Sequence, residues 1–256
     1  MDFTFSTVPI TLVLFAAMLA LLEVGRRIGA RRPGADRGGA GIATIEGSVF
    51  GLMGLLIAFT FSGASSRFEA RRALIVEEAN AIGTAWLRLE LIPAGAQPAL
   101  RQLFRSYLDA RLETYRSLAD QEVSRASHAR AVELQTGIWT TAVAACREPG
   151  MQQATMLLLP ALNEMIDIMT TRSMAMQFHQ PSIIFAVLIL LALASSLLAG
   201  YGIADATLRR WIPMIGFAAF TTLAIYVIID LEYPRNGLIR IDAADQVLVD
   251  LRQSMD

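Results

Sequence analysis

The chain has no lysine, one cysteine and two histidines in 256 residues. Each scarcity excludes something. A lone Cys146 cannot close an internal disulfide or supply a multi-cysteine metal centre. His128 and His179 stand far apart in sequence with no matched carboxylate spacing, so neither His-Glu-x-x-His nor a His-based triad can be written. There is no glycine-rich Lys-Ser/Thr phosphate loop and no Gly-x-Ser-x-Gly elbow. The sequence is therefore not expected to be an enzyme, and no metal or cofactor is expected. All 22 basic residues are Arg, against 23 acidic ones, for a net charge of −1. That balance gives no basic field for nucleic acid, which is set aside as a partner.

Charge is missing most conspicuously from four long stretches: Phe3–Leu22, Gly47–Ser66, Ser182–Ala204 and Trp211–Ile229. The hydrocarbon core of a bilayer is roughly 30 Å thick and a helix rises about 1.5 Å per residue, so each stretch can span. Backbone groups in lipid must be paired within the segment, which makes the spans helical. With 54% hydrophobic residues and a mean hydropathy of +0.47, the chain reads as an all-α, multi-pass membrane protein. Its expected organisation is residues 1–66 with two transmembrane helices, 67–180 as a helical extramembrane insert, 181–230 with two more transmembrane helices, and 231–256 as an extramembrane tail. The first stretch lacks a basic leader and a small-residue cleavage site, so it is read as a retained helix.

The insert is helical in pattern. Phe68, Ile75, Ala79, Ile82, Trp86 and Leu89 share one face, and the second span continues into them as a rod ending before Pro93. A second insert helix starts near Pro98 with Leu100, Leu103, Phe104, Tyr107, Leu108, Leu112 and Tyr115 on one side. A third covers about Ala126–Cys146, and a fourth Met151–Gln180 contains Pro160, expected to kink it. Gly25–Gly41, rich in Gly and Arg with Pro33, is expected to be a flexible linker. Glu77 and Glu78 are expected to pair along the rod with Arg71, Arg72 and Arg88. Glu46 and Asp230 lie at span ends as interfacial anchors.

Arginine placement gives the orientation no clear vote. Arg26, Arg27, Arg31, Arg32, Arg37, Arg209 and Arg210 fall on one side; Arg67, Arg71, Arg72, Arg172, Arg235 and Arg240 fall on the other. The first helix by itself favours an external insert.

The second span carries two stripes. Gly47, Gly51, Gly54, Ala58, Ser62 and Ser65 recur every three or four residues, a pattern that lets membrane helices approach closely. Beside them run Val49, Met53, Ile57 and Phe61, a bulky apolar stripe. Both can simply pack against the other three helices. Alternatively, several copies of this helix surround an axis, the small residues packing between neighbours and the bulky ones forming a dry constriction. No charge lies deep in any span, which argues against an ion-coupled pump.

At the end of this span the chain reads Val49-Phe-Gly-Leu-Met-Gly-Leu-Leu-Ile-Ala-Phe-Thr-Phe-Ser-Gly-Ala-Ser-Ser-Arg-Phe-Glu-Ala-Arg-Arg. This segment resembles the bestrophins, in which a Gly-punctuated helix runs into an aromatic-acidic-Ala-Arg segment. Val76-Glu-Glu-Ala-Asn-Ala-Ile-Gly, Leu159-Pro-Ala-Leu-Asn-Glu-Met and Asp230-Leu-Glu-Tyr-Pro-Arg-Asn-Gly-Leu-Ile resemble a bacterial bestrophin-like family over nearly the whole chain. The resemblance implies two pairs of membrane helices flanking a cytoplasmic helical domain, in a pentameric anion channel whose second helix lines the pore. Matching Phe68-Glu69 to the family's aromatic-acid pair puts Gly47, Gly51 and Leu55 at the neck; a small shift puts Met53, Ile57 and Phe61 there. The family's acidic calcium-binding cluster is not visible. The expected function is thus a passive, anion-conducting channel built from a homo-oligomer in the lipid bilayer of a bacterial inner membrane, with the insert leaning to the cytoplasm. The alternative is a non-conducting membrane scaffold or signalling subunit whose insert binds a partner.

Overall fold

A computed structural model describes residues 7–31, 40–117, 120–203, 211–233, 238–239 and 242–256. Among the described residues eight α-helices follow one another: α1 (Thr7–Ala30), α2 (Ala40–Arg88), α3 (Gln97–Arg116), α4 (Gln121–Cys146), α5 (Gln152–Gln177), α6 (Ser182–Gly202), α7 (Trp211–Glu232) and α8 (Asp242–Gln253). A single 3₁₀ turn, Leu89–Leu91, ends α2. Among the described residues there is no strand. Four segments are long and apolar enough to cross a membrane: α1, the first part of α2, α6 and α7. The chain is a multi-pass, all-α membrane protein.

Contacts divide the chain into two compact units, 1–69 with 179–240, and 70–178 with 241–256. α2 is one helix in sequence and contributes to both.

In the membrane unit, α1 buries Thr7, Thr11, Leu14, Met18, Leu22, Gly25 and Gly29, a run of three- and four-residue steps along one face. That face lies on α6 at backbone distance. A Cβ added to Gly200 would sit 2.0 Å from the carbonyl oxygen of Leu22, and one added to Gly25 would sit 2.0 Å from that of Leu197. Lipid tails are as apolar as Leu, so close packing rather than water exclusion drives such a crossing. This overturns the reading of Gly25 as the start of a linker. Gly25–Ala30 complete α1, because glycine there admits the neighbouring backbone. Ala40 and Gly41 already belong to α2, while Arg32, Pro33 and Arg37 lie outside the described residues. Phe3 at the start of the first stretch, Ala204 at the end of the third, and the loop arginines Arg209, Arg210, Arg235 and Arg240 also lie outside them. α7 packs on α1 with the Thr222 hydroxyl 3.6 Å from the Met18 sulfur. Two buried hydroxyls satisfy themselves on the preceding turn, Ser196 on Ala192 O at 2.8 Å and Thr60 on Leu56 O at 2.7 Å, while that of the buried Ser195 has no partner.

In the insert unit, Ile75, Ala79, Ile82, Trp86 and Leu89 are all buried, and so are Leu100, Phe104, Tyr107, Leu108, Leu112 and Tyr115 of α3. Each such Leu, Ile or Phe contributes roughly 1.5–3 kcal/mol relative to exposure. Trp86 meets Phe104 edge-on at 6.0 Å. α4 starts one turn earlier than the hydrophobic pattern indicated. The Asp120 side chain accepts from the backbone N–H of Glu122 and Val123 and fixes the N-terminus there. α5 runs from Gln152 to Gln177 through Pro160 as one element. α8 docks through buried Leu248, and beyond its end Met255 is buried too, its carbonyl oxygen accepting two hydrogen bonds from Arg105.

Candidate functional site

The membrane part of α2 shows a sharp division between its faces. Met53, Thr60, Ala64 and Phe68 are buried within the chain. At about 100° per residue, Gly51, Leu55 and Ser62 fall on the opposite side, and all three are exposed. Of the bulky stripe, Val49 and Ile57 are half-buried, Met53 is only 7% exposed, and Phe61 is 45% exposed. The stripe steps four residues at a time and so drifts round the helix, beginning on the inner face and ending at its edge. Of the small stripe, Gly47, Gly51, Gly54, Ala58 and Ser62 are exposed and Ser65 half-buried. A Cβ built on Gly47, Gly51 or Gly54 meets nothing within 4 Å. The chain uses glycine at Gly200 for close approach, yet Gly47, Gly51 and Gly54 of α2 have no described neighbour at that distance.

Below this face the helix is clamped. The Arg67 guanidinium donates from Nε (3.0 Å) and Nη2 (2.7 Å) to Glu232 Oε2, and Nη2 also reaches Gln180 Oε1 at 2.8 Å. The backbone N–H of Gln180 donates to Glu232 Oε1 at 2.8 Å. His179 Nδ1 lies 3.6 Å from the same oxygen, and its ring stacks on Tyr233 at 4.7 Å. The Glu232 side chain is fully buried, while Arg67 and His179 remain about one-third exposed, at 31% and 34%. Glu232 thus joins the second span, the lead into α6 and the end of α7. Phe50 and Phe217 add an edge-to-face contact at 5.9 Å.

Of the two acids read as interfacial anchors, Asp230 is fully buried and Glu46 half-buried. Asp230 is buried; its Oδ2 accepts from the backbone N–H of Leu238 (3.1 Å) and Ile239 (2.9 Å), and its Oδ1 has no hydrogen-bond partner. Glu46 is half-buried with Oε1 unpartnered, and a Cβ on Gly202 would lie 3.0 Å from both of its carboxylate oxygens. Both side chains point into packed chain because each lies on the inner face of its helix. Among the described residues no group of three or more His, Cys, Asp or Glu could hold a metal ion.

The insert contains a second ionic centre, which corrects the pairing expected along the rod. Glu78 is fully buried and binds Arg111 of α3 (Nε to Oε1, 2.6 Å) and Arg172 of α5, not Arg71, Arg72 or Arg88. Arg71 instead donates to Ala175 O and Phe178 O, and Arg88 to Leu157 O. Arg111 also donates to the Tyr115 hydroxyl, whose ring carries Arg172 Cζ at 3.6 Å from its centroid and Arg111 Cζ at 4.7 Å. Arg172 reaches Asp245 at 2.8 Å, tying the segment that begins α8 to the same centre. Burial alone would push the Glu78 carboxyl up; the two guanidiniums outweigh it and hold the group below the usual carboxylate range. Burial pushes the Tyr115 phenol up. Sequence pairing by i and i+4 could not find this centre, since the partners lie 33 and 94 residues from Glu78. A signal was present nonetheless: Glu78, Arg111 and Arg172 each interrupt an otherwise apolar helix face.

Four membrane-crossing helices in two pairs, separated by a helical insert that closes on buried ion pairs, define a helical membrane protein with an α2 face left open. The Bestrophin-like domain profile matches residues 12–245, and the chain belongs to that family. Solved structures of variants of a bacterial bestrophin homologue from Klebsiella pneumoniae share the fold. One matches with a TM-score of 0.70 at 15% identity, covering 98% of this chain and 100% of that one. Another gives 0.69 at 16% identity over 98% and 99%, and a third 0.67 at 15% over 94% and 98%. No curated protein sequence matches the chain.

Proposed function

We propose that several copies of this chain assemble around an axis as a passive anion channel, with the open face of α2 lining the pore. The observation that carries this reading is the composition of that face. A surface turned to lipid is ordinarily bulky and apolar, whereas Gly47, Gly51, Gly54, Ala58 and Ser62 on the exposed side of α2 are small, and a Cβ built on any of these three glycines meets no described atom within 4 Å. The family supports an anion channel in general terms. The pentamer is proposed from family resemblance, and so is a bacterial inner-membrane location with the insert in the cytoplasm.

Of the two neck registers that the resemblance allows, burial favours Gly47, Gly51 and Leu55. Met53 faces its own chain, whereas Leu55 is 52% exposed and lies opposite it. Leu55 then supplies the dry constriction, and Phe61 lies at its edge. A narrow apolar neck is costly to wet, so a polar side chain there lowers the barrier.

The test begins with native mass analysis in detergent to establish a ring of copies. Anion flux follows, using liposomes loaded with a halide-sensitive dye. Leu55→Ser is expected to raise flux and Leu55→Trp to lower it, with Met53→Ser showing no gain. Assembled protein that passes neither anions nor cations in any form would overturn the channel and leave the scaffold reading. For orientation, Cys146 is the single thiol and is half-buried. A membrane-impermeant maleimide should label it in lysed but not intact cells; labelling in intact cells puts the insert outside.

A further inference from the structure

In the insert unit an open cavity of about 360 Å³ lies between α4 and α5. Val132, Gln135, Thr136 and Trp139 of α4 line it, with Asn163 and Ile166 of α5. None of these side chains carries a charge. Val132 and Ile166 are aliphatic walls, and the Trp139 indole, 36% exposed, supplies an aromatic one. Gln135 distinguishes the cavity from a gap between two helices. It is only 6% exposed, and its Nε2 donates to the Tyr107 hydroxyl at 3.2 Å. That hydroxyl lies in turn 3.7 Å from Met169 Sδ, so the amide nitrogen is fixed on the core side. Gln135 Oε1 has no hydrogen bond among the described residues and yet is not one of the chain's sealed polar atoms, so its small remaining exposure opens on the cavity it lines. Asn163 repeats the arrangement at the rim. Its Nδ2 donates to Asp167 Oδ2 at 2.8 Å, and its Oδ1 has no hydrogen bond among the described residues. Thr136 turns its hydroxyl back to Val132 O at 3.1 Å. The cavity therefore presents two carboxamide acceptors, one aromatic ring and no charge, the mixture of apolar wall and few fixed polar groups that small-molecule sites use.

We propose that this cavity binds a small, planar, uncharged heteroaromatic molecule carrying N–H donors, stacked on Trp139 with its donor edge toward Gln135 Oε1 and Asn163 Oδ1. A charged ligand would lose hydration with no opposite charge in the lining to replace it. A purely apolar ring would cover Gln135 Oε1 without giving it a donor, which is unfavourable for a nearly buried acceptor. The site is built from α4 and α5 alone and makes no use of the membrane unit, so it stands or falls separately from conduction.

The experiment uses the full chain in detergent with Trp86, Trp139 and Trp211, its three tryptophans, replaced biosynthetically by 5-fluorotryptophan. Trp139→Phe identifies the fluorine resonance that reports on the cavity. Adenine is the probe. Purine, which keeps the rings and lacks the amino group, and benzamidinium, which keeps N–H donors and adds charge, are the comparators. Adenine should shift the Trp139 resonance saturably and leave those of Trp86 and Trp211 in place, and both comparators should bind more weakly. Asn163→Leu, at an exposed position, and Gln135→Met should each weaken adenine about fivefold, the worth of one hydrogen bond. An unmoved Trp86 resonance, from the insert core, shows that each variant is folded. No saturable shift at Trp139, wild-type affinity in Asn163→Leu, purine bound as tightly as adenine, or benzamidinium bound more tightly would each overturn the site. A Trp139 resonance that moves when the protein is diluted and not when adenine is added would also overturn it, and would assign the groove to contact between copies of the chain.

Discussion

Replacing Glu78 by Gln tests the ionic centre of the insert directly. The substitution keeps the shape and removes the charge, leaving Arg111, at 1% side-chain exposure, without its carboxylate and Arg172, at 3%, with Asp245 alone. Breaking a buried pair from one side costs about 3–5 kcal/mol, because the orphaned charge stays desolvated. For a chain of this size each kcal/mol moves the unfolding midpoint by about 2–4 °C, which predicts a loss of roughly 6–20 °C. Cys146 lies in the insert unit and is the only thiol, so a thiol-reactive dye reports the opening of that unit as detergent-solubilised protein is heated. Glu77→Gln is the control: Glu77 is the exposed neighbour, and the change should stay within about 0.5 kcal/mol. Adding Arg111→Met to Glu78→Gln removes one orphaned cation, so the double variant should lose less than the two single losses combined. Glu78→Gln costing under about 1 kcal/mol, or no more than Glu77→Gln, would refute the argument that the centre depends on charge pairing.

The same carboxyl sets a pH dependence. Its folded value is depressed, so its contribution is fully present above the unfolded value of about 4.3 and disappears as pH falls through the folded one. The unfolding midpoints of wild type and Glu78→Gln should therefore converge between pH 5 and the acid limit; parallel curves would contradict this. Gly200→Ala forces a methyl against Leu22 O, where the space is 2.0 Å, and should separate α1 from α6 and sharply reduce folded yield; normal yield and thermal midpoint would refute the close crossing. Gly51→Leu meets nothing within 4 Å in its own chain, so it should leave the fold and the assembly intact while narrowing the proposed neck and lowering anion flux; unchanged flux through correctly assembled protein would count against Gly51 at the neck.

The elements that were legible in the sequence are those that local spacing decides. The four spans follow from the absence of charge over a membrane's thickness, and the insert helices from apolar residues at three- and four-residue steps, as Leu100, Phe104 and Tyr107 show. What stayed hidden depends on which helix faces which. Gly25 has the composition of a linker, and only the carbonyl of Leu197 beside it explains why glycine stands inside α1. Glu232 ends a span as an anchoring acid would, and only the arrival of Arg67, 165 residues away in sequence, turns it inward.

The two ionic centres point to a more general way of reading such a chain. A charge on a polar face can be satisfied by water and says little about its neighbours. A charge on an apolar face has no such option: unpaired, it would be too costly to bury, so its presence requires an opposite charge on the apolar face of another element. Glu78 lies between Ile75 and Ile82 on its helix, Arg111 between Leu108 and Tyr115, and Arg172 one turn beyond Met169. The three interruptions have complementary signs, which makes them candidates for one another before any coordinates exist. Leu55 on the membrane part of α2 gives the complementary case. A large apolar side chain among Gly51, Ser48 and Ser62 is 52% exposed in its own chain, which is what the proposed constriction between copies requires of it. Side chains that contradict the face they occupy carry the long-range information in this sequence, and they do so at the clamp, the ionic centre and the proposed pore alike.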